Sequence, residues 1–372
     1  MSVRPFRMSA ASFDALARGG GGADGMRVLV AARRSRTLLF IRSILAARPA
    51  LQPDFDLLSE VQRKAPQAVS AVLDHPAVGV WAAQTAVALV HGEPAAPERL
   101  GEVAIAAVER ASHGPGFPLP PPLGRNVVTE LDVGDGVTFQ LDPWQGGGLP
   151  DGLRISRDAD PGLWREWITL GWHLLAQAHP GVATEFAEAV SVITPLRSSP
   201  AGFSSATLAD AFGCVFMSLT RDPEVIGLAF AHELQHTKLA GLMDLFPLLR
   251  PGRHGTFYAP WRPEPRPLVG LLHGTYAHLG VAGFWRRQRV QDGGPHADVE
   301  FSHWRAAGLL GCRTLLASGG LTAVGERFVL GMQDVLLDWA AEPVPASAIA
   351  TAEERMREHR DLWLASVHSG SS

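Results

Sequence analysis

Apolar residues recur at helical spacing through most of this 372-residue chain. The many evenly spaced strands that a double-stranded β-helix requires are missing, so the pattern predicts a mostly α protein. Ser9 or Ser12 caps a short helix through Ala17, stopped by the Gly19–Gly22 run. Met26–Ala47, Leu57–Leu73, Val78–Val90 and Leu100–Ala111 follow with helical periodicity, and Pro76 stands where a helix start accepts a proline. Residues 1–113 thus read as an N-terminal helical module.

The segment GPGFPLPPPLG (114–124) cannot be helix interior and reads as a linker or stiff arm. After it the period changes. Val127–Val133, Val137–Leu141 and Leu153–Ser156 carry β-branched residues between DVGDG and GGGLPDG turns, which predicts two or three antiparallel strands. Residues 114–162 therefore form a linker and small β insertion, and helical patterns resume over 163–372. Ser204–Thr220 reads as a core helix with a capping serine, with Asp210 as an acceptor that orients an imidazole in the second reading.

Hydrophobic residues make up 46% of the chain and charged residues 19%, enough apolar material for a sizeable core. A net charge of −4 gives no electrostatic case for a nucleic-acid binder. Two cysteines, Cys214 and Cys312, make no disulfide framework, which points to a reducing cytosol. The first residues lack the apolar core and cleavage site of a secretion signal. The run LLFIRSILAA is interrupted by Arg42 and is too short to span a bilayer. The expected location is cytoplasmic, with neither membrane nor nucleic acid as partner.

One segment carries chemistry above the rest. Residues 223–245, PEVIGLAFAHELQHTKLAGLMDL, read as a long apolar helix containing HELQH. Histidines at i and i+4 sit about 40° apart on one helix face, so His232 and His236 can reach one metal ion. Two unpaired imidazoles buried between LAFA and LAGLM would be costly, which favours a metal over a packing role. Position 242, where an elongated zinc-protease motif needs a third histidine, is a leucine. The next donors lie in PLVGLLHGTYAHLGVAGFWRR: His273 and His278, about 140° apart on a helix, so that they face different ways and at most one is expected to be a ligand. His273 is the favoured third ligand and His278 the alternative, while Asp244 lies more than about 60° off the metal face. Between the two helices, YAPWRPEPRP (258–267) forms a proline-stiffened extended strap. Its Arg262 and Arg266 are candidates to pair with a small carboxylate.

The combination of HPAVGVW, DAFGCVFMSL, AHELQHTKLAGLMDLFPLL, WRPEPRP and LLHGTYAHLGVAGFW resembles the HExxH-motif family of peptide-modification proteins, the α-ketoglutarate HExxH-type peptide β-hydroxylases. The resemblance covers about residues 10–360. It implies Fe(II) as the metal, α-ketoglutarate and dioxygen as co-substrates, and a β-hydroxylated residue on a ribosomally made precursor peptide as product. It also implies a radical SAM enzyme of the same pathway as a partner. Under that reading His232, His236 and His273 hold the iron, Arg266 or Arg262 takes the distal carboxylate of the co-substrate, and Glu233 stands beside the metal. Spacing alone suits Zn(II) equally well. The second reading is a zinc metallopeptidase with Glu233 as general base. The third is a metal-free peptide-binding subunit, against which the intact HELQH speaks.

Overall fold

A computed structural model describes residues 6–113, 129–144, 149, 152–199, 202–252, 255–291 and 294–369. The 114–124 linker and most of the GGGLPDG turn lie outside the described residues. The mostly α expectation holds: thirteen α-helices accompany seven short strands among the described residues. None of these helices is long and apolar enough to cross a membrane.

The chain forms two compact units that interleave in sequence. The first comprises residues 1–26, 174–186 and 224–372, the second residues 27–173 and 187–223.

In the second unit, α3 (Gln52–Lys64), α4 (Pro66–Leu73), α5 (Pro76–His91) and α6 (Leu100–His113) bury one apolar cluster. Val72, Val78, Ala82, Leu100 and Val103 are fully excluded from solvent in it. Pro76 opens α5 as expected, after an extended His75 whose Nδ1 accepts the Ala77 N–H.

The β insertion is larger and of different topology than the sequence pattern implied. Strands β1 (Thr129–Gly134) and β2 (Val137–Leu141) form the expected antiparallel hairpin. Its turn rests on Asp135 and Gly136, both with positive φ, as an Asp-Gly turn demands. To this hairpin β3 (Val192–Leu196) adds in parallel, then β5 (Cys214–Ser218) in parallel, then β4 (Ser205–Ala206) antiparallel. The result is a mixed five-stranded sheet in the order β1-β2-β3-β5-β4. Ser204–Thr220 is therefore strand and turn rather than a capped core helix. Every residue of β3 and β5 is buried. A short apolar run buried on both faces cannot be told from helix by periodicity alone. Leu153–Ser156 supplies only an isolated bridge, Ile155 to Leu196.

In the first unit, α9 (Pro223–Leu245) carries HELQH and α10 (Leu268–Gln291) carries His273 and His278. The strap between them is a hairpin, β6 (Thr256–Ala259) with β7 (Arg262–Pro267). Its prolines sit on a two-stranded edge, the one place in a sheet that tolerates them. α11 (Pro295–Ala317), α12 (Ala323–Ala340) and α13 (Ala346–Ser369) complete this unit. A short α1 (Ala10–Ala17), capped by Ser9 as expected, belongs to it too.

Around α9 the core is partly polar. Lys238, fully buried, forms an ion pair with Glu185 on α8 (Pro180–Ala189). Its ammonium also donates to the Gly19 carbonyl at 2.8 Å, and Gln235 donates to the same oxygen at 3.0 Å. Glu185 in turn accepts the Gly22 N–H at 2.7 Å. These bonds tie the residues after α1 to the back of the HELQH helix. Removing one partner of such a buried pair costs about 3–5 kcal/mol.

Candidate metal centre

α9 and α10 approach closely because position 280 is glycine. A β-carbon there would stand 2.7 Å from Gln235 Cγ and 2.9 Å from the Ala231 carbonyl oxygen. This contact, between Ala231 and Gln235 on α9 and the middle of α10, draws four imidazoles into one cluster.

His232 and His236 lie as the i, i+4 spacing predicts, with their Nε2 atoms 3.2 Å apart. His278 stands edge-on to His232 at a centroid distance of 5.3 Å, and His273 stacks near His236 at 5.7 Å. α10 brings both alongside, one against each HELQH histidine.

His278 is the most firmly held of the four. It is 8% exposed, and its ring lies between the indoles of Trp261 and Trp304, at 4.7 and 4.5 Å. Its Nδ1 bonds the Gly274 carbonyl at 2.8 Å, which makes Nδ1 the protonated nitrogen and leaves a lone pair on Nε2. Burial first, and the neighbouring imidazole of His232 second, push the His278 pKa down to about 3. The same two kinds of cause hold His236 well below the ordinary histidine value. Burial and the nearby charge of Arg266 lower His273. These three rings are neutral at physiological pH, the form in which imidazole binds a metal.

The arginines on the hairpin differ from one another. Arg262 is exposed. Arg266 is half-buried and lies over Gly270 in the first turn of α10, with Nε 3.0 Å from the point where a β-carbon would sit. That Nε is buried and has no hydrogen-bond partner. Glu233 is 1% exposed, and Asp244 is exposed near the end of α9. Asp210, considered as an imidazole acceptor, pairs instead with Arg36 at 3.0 Å.

Do these donors fit a metal ion? The 3.2 Å separation of the His232 and His236 Nε2 atoms suits two ligands of one ion, since donors about 2.1 Å from a metal stand about 3.0–3.4 Å from each other. Among the described residues no group of three or more His, Cys, Asp or Glu side chains is disposed to hold a metal as it stands. The pair has the spacing of two ligands of one ion, and the His273 and His278 rings flank it. The chain matches no protein-family model and no curated protein.

Sequence reasoning missed the two indoles that clamp His278. Trp261 was visible only as part of WRPEPRP, and Trp304 lies on α11, far from any motif. The room for the first clamp lies at Gly274, whose missing side chain leaves the space that Trp261 fills.

Proposed function

We propose that this chain is an Fe(II)- and α-ketoglutarate-dependent hydroxylase. It acts on the β-carbon of a residue in a ribosomally made precursor peptide, within a pathway that also employs a radical SAM enzyme. The observation that carries this reading is the pairing of two features. The Nε2 atoms of His232 and His236 meet at 3.2 Å, and an arginine with a buried, unpartnered Nε stands beside the same cluster, close enough to lower the His273 pKa.

His232 and His236 would hold the iron, with His273 as the third donor and His278 as the alternative beside it. The bound metal would supply dioxygen activation coupled to oxidation of the α-keto acid. The chain's own groups do the rest. Neutral imidazoles leave the metal's positive charge uncompensated, which favours an anionic co-substrate. The Arg266 guanidinium would take that co-substrate's far carboxylate in a forked pair, answering the open hydrogen-bonding demand of its Nε. Trp261 and Trp304 shield His278 from water on both ring faces, and the Gly274 carbonyl holds its proton on Nδ1. Glu233 sits within the same helix beside His232, buried, and is assigned no proton transfer.

Anaerobic purification with metal analysis, followed by an α-ketoglutarate-to-succinate assay, tests the reading. Iron content with succinate formation dependent on His232 and His236 supports it. Zinc content, with peptide-bond hydrolysis that is lost in Glu233→Gln, would replace it with the metallopeptidase.

A further inference from the structure

The second unit contains a cleft of about 420 Å³ that takes no part in the chemistry above. Its walls come from α2 (Gly22–Ala47), the α4–α5 corner, α6, the β1–β2 hairpin and the turn before β3. Four guanidinium groups line it: Arg33, Arg34, Arg36 and Arg110.

The lining carboxylates are Asp74, Glu130, Glu188 and Asp210. Three of them already face an arginine. Arg34 grips Asp74 through two nitrogens, Arg36 meets Asp210 at 3.0 Å, and Arg27 meets Glu188 at 3.6 Å. The carboxylate that an incoming anion meets besides these three pairs is Glu130 on β1. Arg33 is 8% exposed, bonds the Ala209 carbonyl at 2.5 Å and lies over the Phe212 ring at 5.3 Å. Its guanidinium is thus fixed rather than mobile.

The floor of the cleft has a defined polarity. The Ala77 N–H donates to His75 Nδ1 at 3.3 Å, so the imidazole proton resides on Nε2. That nitrogen then donates to Gln140 Oε1 at 3.2 Å. With its oxygen so engaged, Gln140 offers its NH2 group to the cleft, beside Thr138 on the same strand face. Burial pushes the His75 pKa down to about 4, so the relay keeps this sense at neutral pH.

We propose that this cleft binds an acidic, carboxylate-bearing segment of the peptide on which the chain acts, recognised by the Gln140 amide and the Arg33, Arg36 and Arg110 guanidinium groups. The proposal rests on the peptide-substrate reading above. The Gln140 amide and the guanidinium groups are donors, so the part of the ligand that meets them should carry acceptors. Single carboxylates spaced along a chain suit it better than one phosphate, because Arg34 and Arg36 already share their charge with Asp74 and Asp210.

The test uses the full chain stripped with a chelator, so that binding is read without turnover. Fluorescence anisotropy follows a labelled peptide of alternating Glu and Ala against alternating Lys-Ala and Ser-Ala controls, at low and raised salt. The Glu peptide should bind about tenfold tighter than the Ser peptide, and raised salt should weaken it. Gln140→Glu keeps an oxygen for His75 but replaces the amide NH2 with an acidic oxygen, and should weaken binding about tenfold or more. Arg110→Gln, on a separate helix, should weaken it too. Iron content is measured separately on the same protein before stripping, so a failed metal assignment and a failed cleft give different patterns. Equal binding of the Glu and Ser peptides, or indifference to both cleft variants, overturns the proposal. Competition by inorganic phosphate as effective as that by unlabelled Glu peptide would make this a small-anion site and overturn it as well.

Discussion

The indole of Trp261 fills the space in which a β-carbon on Gly274 would have to sit, and from there it stacks on His278. One missing side chain on α10 thus allows the hairpin tip to clamp an imidazole of the candidate centre. Gly274→Ala gains about 1 kcal/mol of helix propensity but forces the indole out, an overpacking cost of about 1–3 kcal/mol. The ring is expected to leave His278. Fluorine NMR of 5-fluorotryptophan protein, with the signal assigned through Trp261→Phe, reads this directly. An unmoved Trp261 resonance in Gly274→Ala would show that the clamp does not depend on the glycine.

The histidine cluster predicts an order of metal loss. His232→Ala and His236→Ala should each abolish iron loading, because their paired Nε2 atoms define the site. His273→Ala should weaken loading strongly, and His278→Ala should leave most of it. Metal analysis after anaerobic reconstitution decides the matter. If His278→Ala strips the iron and His273→Ala retains it, the third donor is the ring whose tautomer Gly274 sets.

Arg266→Ala should raise the KM for α-ketoglutarate by about 30-fold to several thousand-fold while metal content stays constant, the loss expected for one truncated partner of a buried charged pair. Arg266→Lys should recover part of it, since an ammonium cannot reproduce the forked geometry. Arg262→Ala is the control, because that side chain is exposed on the same strand. Equal, small effects at both positions would place the co-substrate anchor elsewhere.

Acidification should destabilise the second unit through His75. Its pKa is about 4 in the folded chain against an ordinary 6.5, so the unfolded chain binds more protons between those values. Stability is therefore complete above pH 6.5 and falls as pH drops toward 4, by about 3 kcal/mol in total. His75→Asn keeps an acceptor for the Ala77 N–H and removes the titration. Urea unfolding across this window should show a flatter pH dependence in the variant. An unchanged slope would mean that His75 is not the titrating group.

Local chemistry was legible in the amino-acid order. Helical periodicity, the Ser9 cap, Pro76 at a helix start, the Asp-Gly turn and the shared face of His232 and His236 all depend on residues within a few positions of each other. Such features follow from backbone sterics and the 3.6-residue repeat, so a linear reading reaches them. Other features required chain segments far apart in sequence to meet. The parallel pairing of β3 with β2 and β5, the placing of both His273 and His278 against the HELQH pair, and the Lys238–Glu185 bond are of this kind. So are the two indoles on His278 and the arginine-lined cleft. Each depends on how closely two elements approach, and that distance is set by packing. A glycine at position 280 or 274 has no local signature distinguishing it from any other helix glycine until its neighbour is in place.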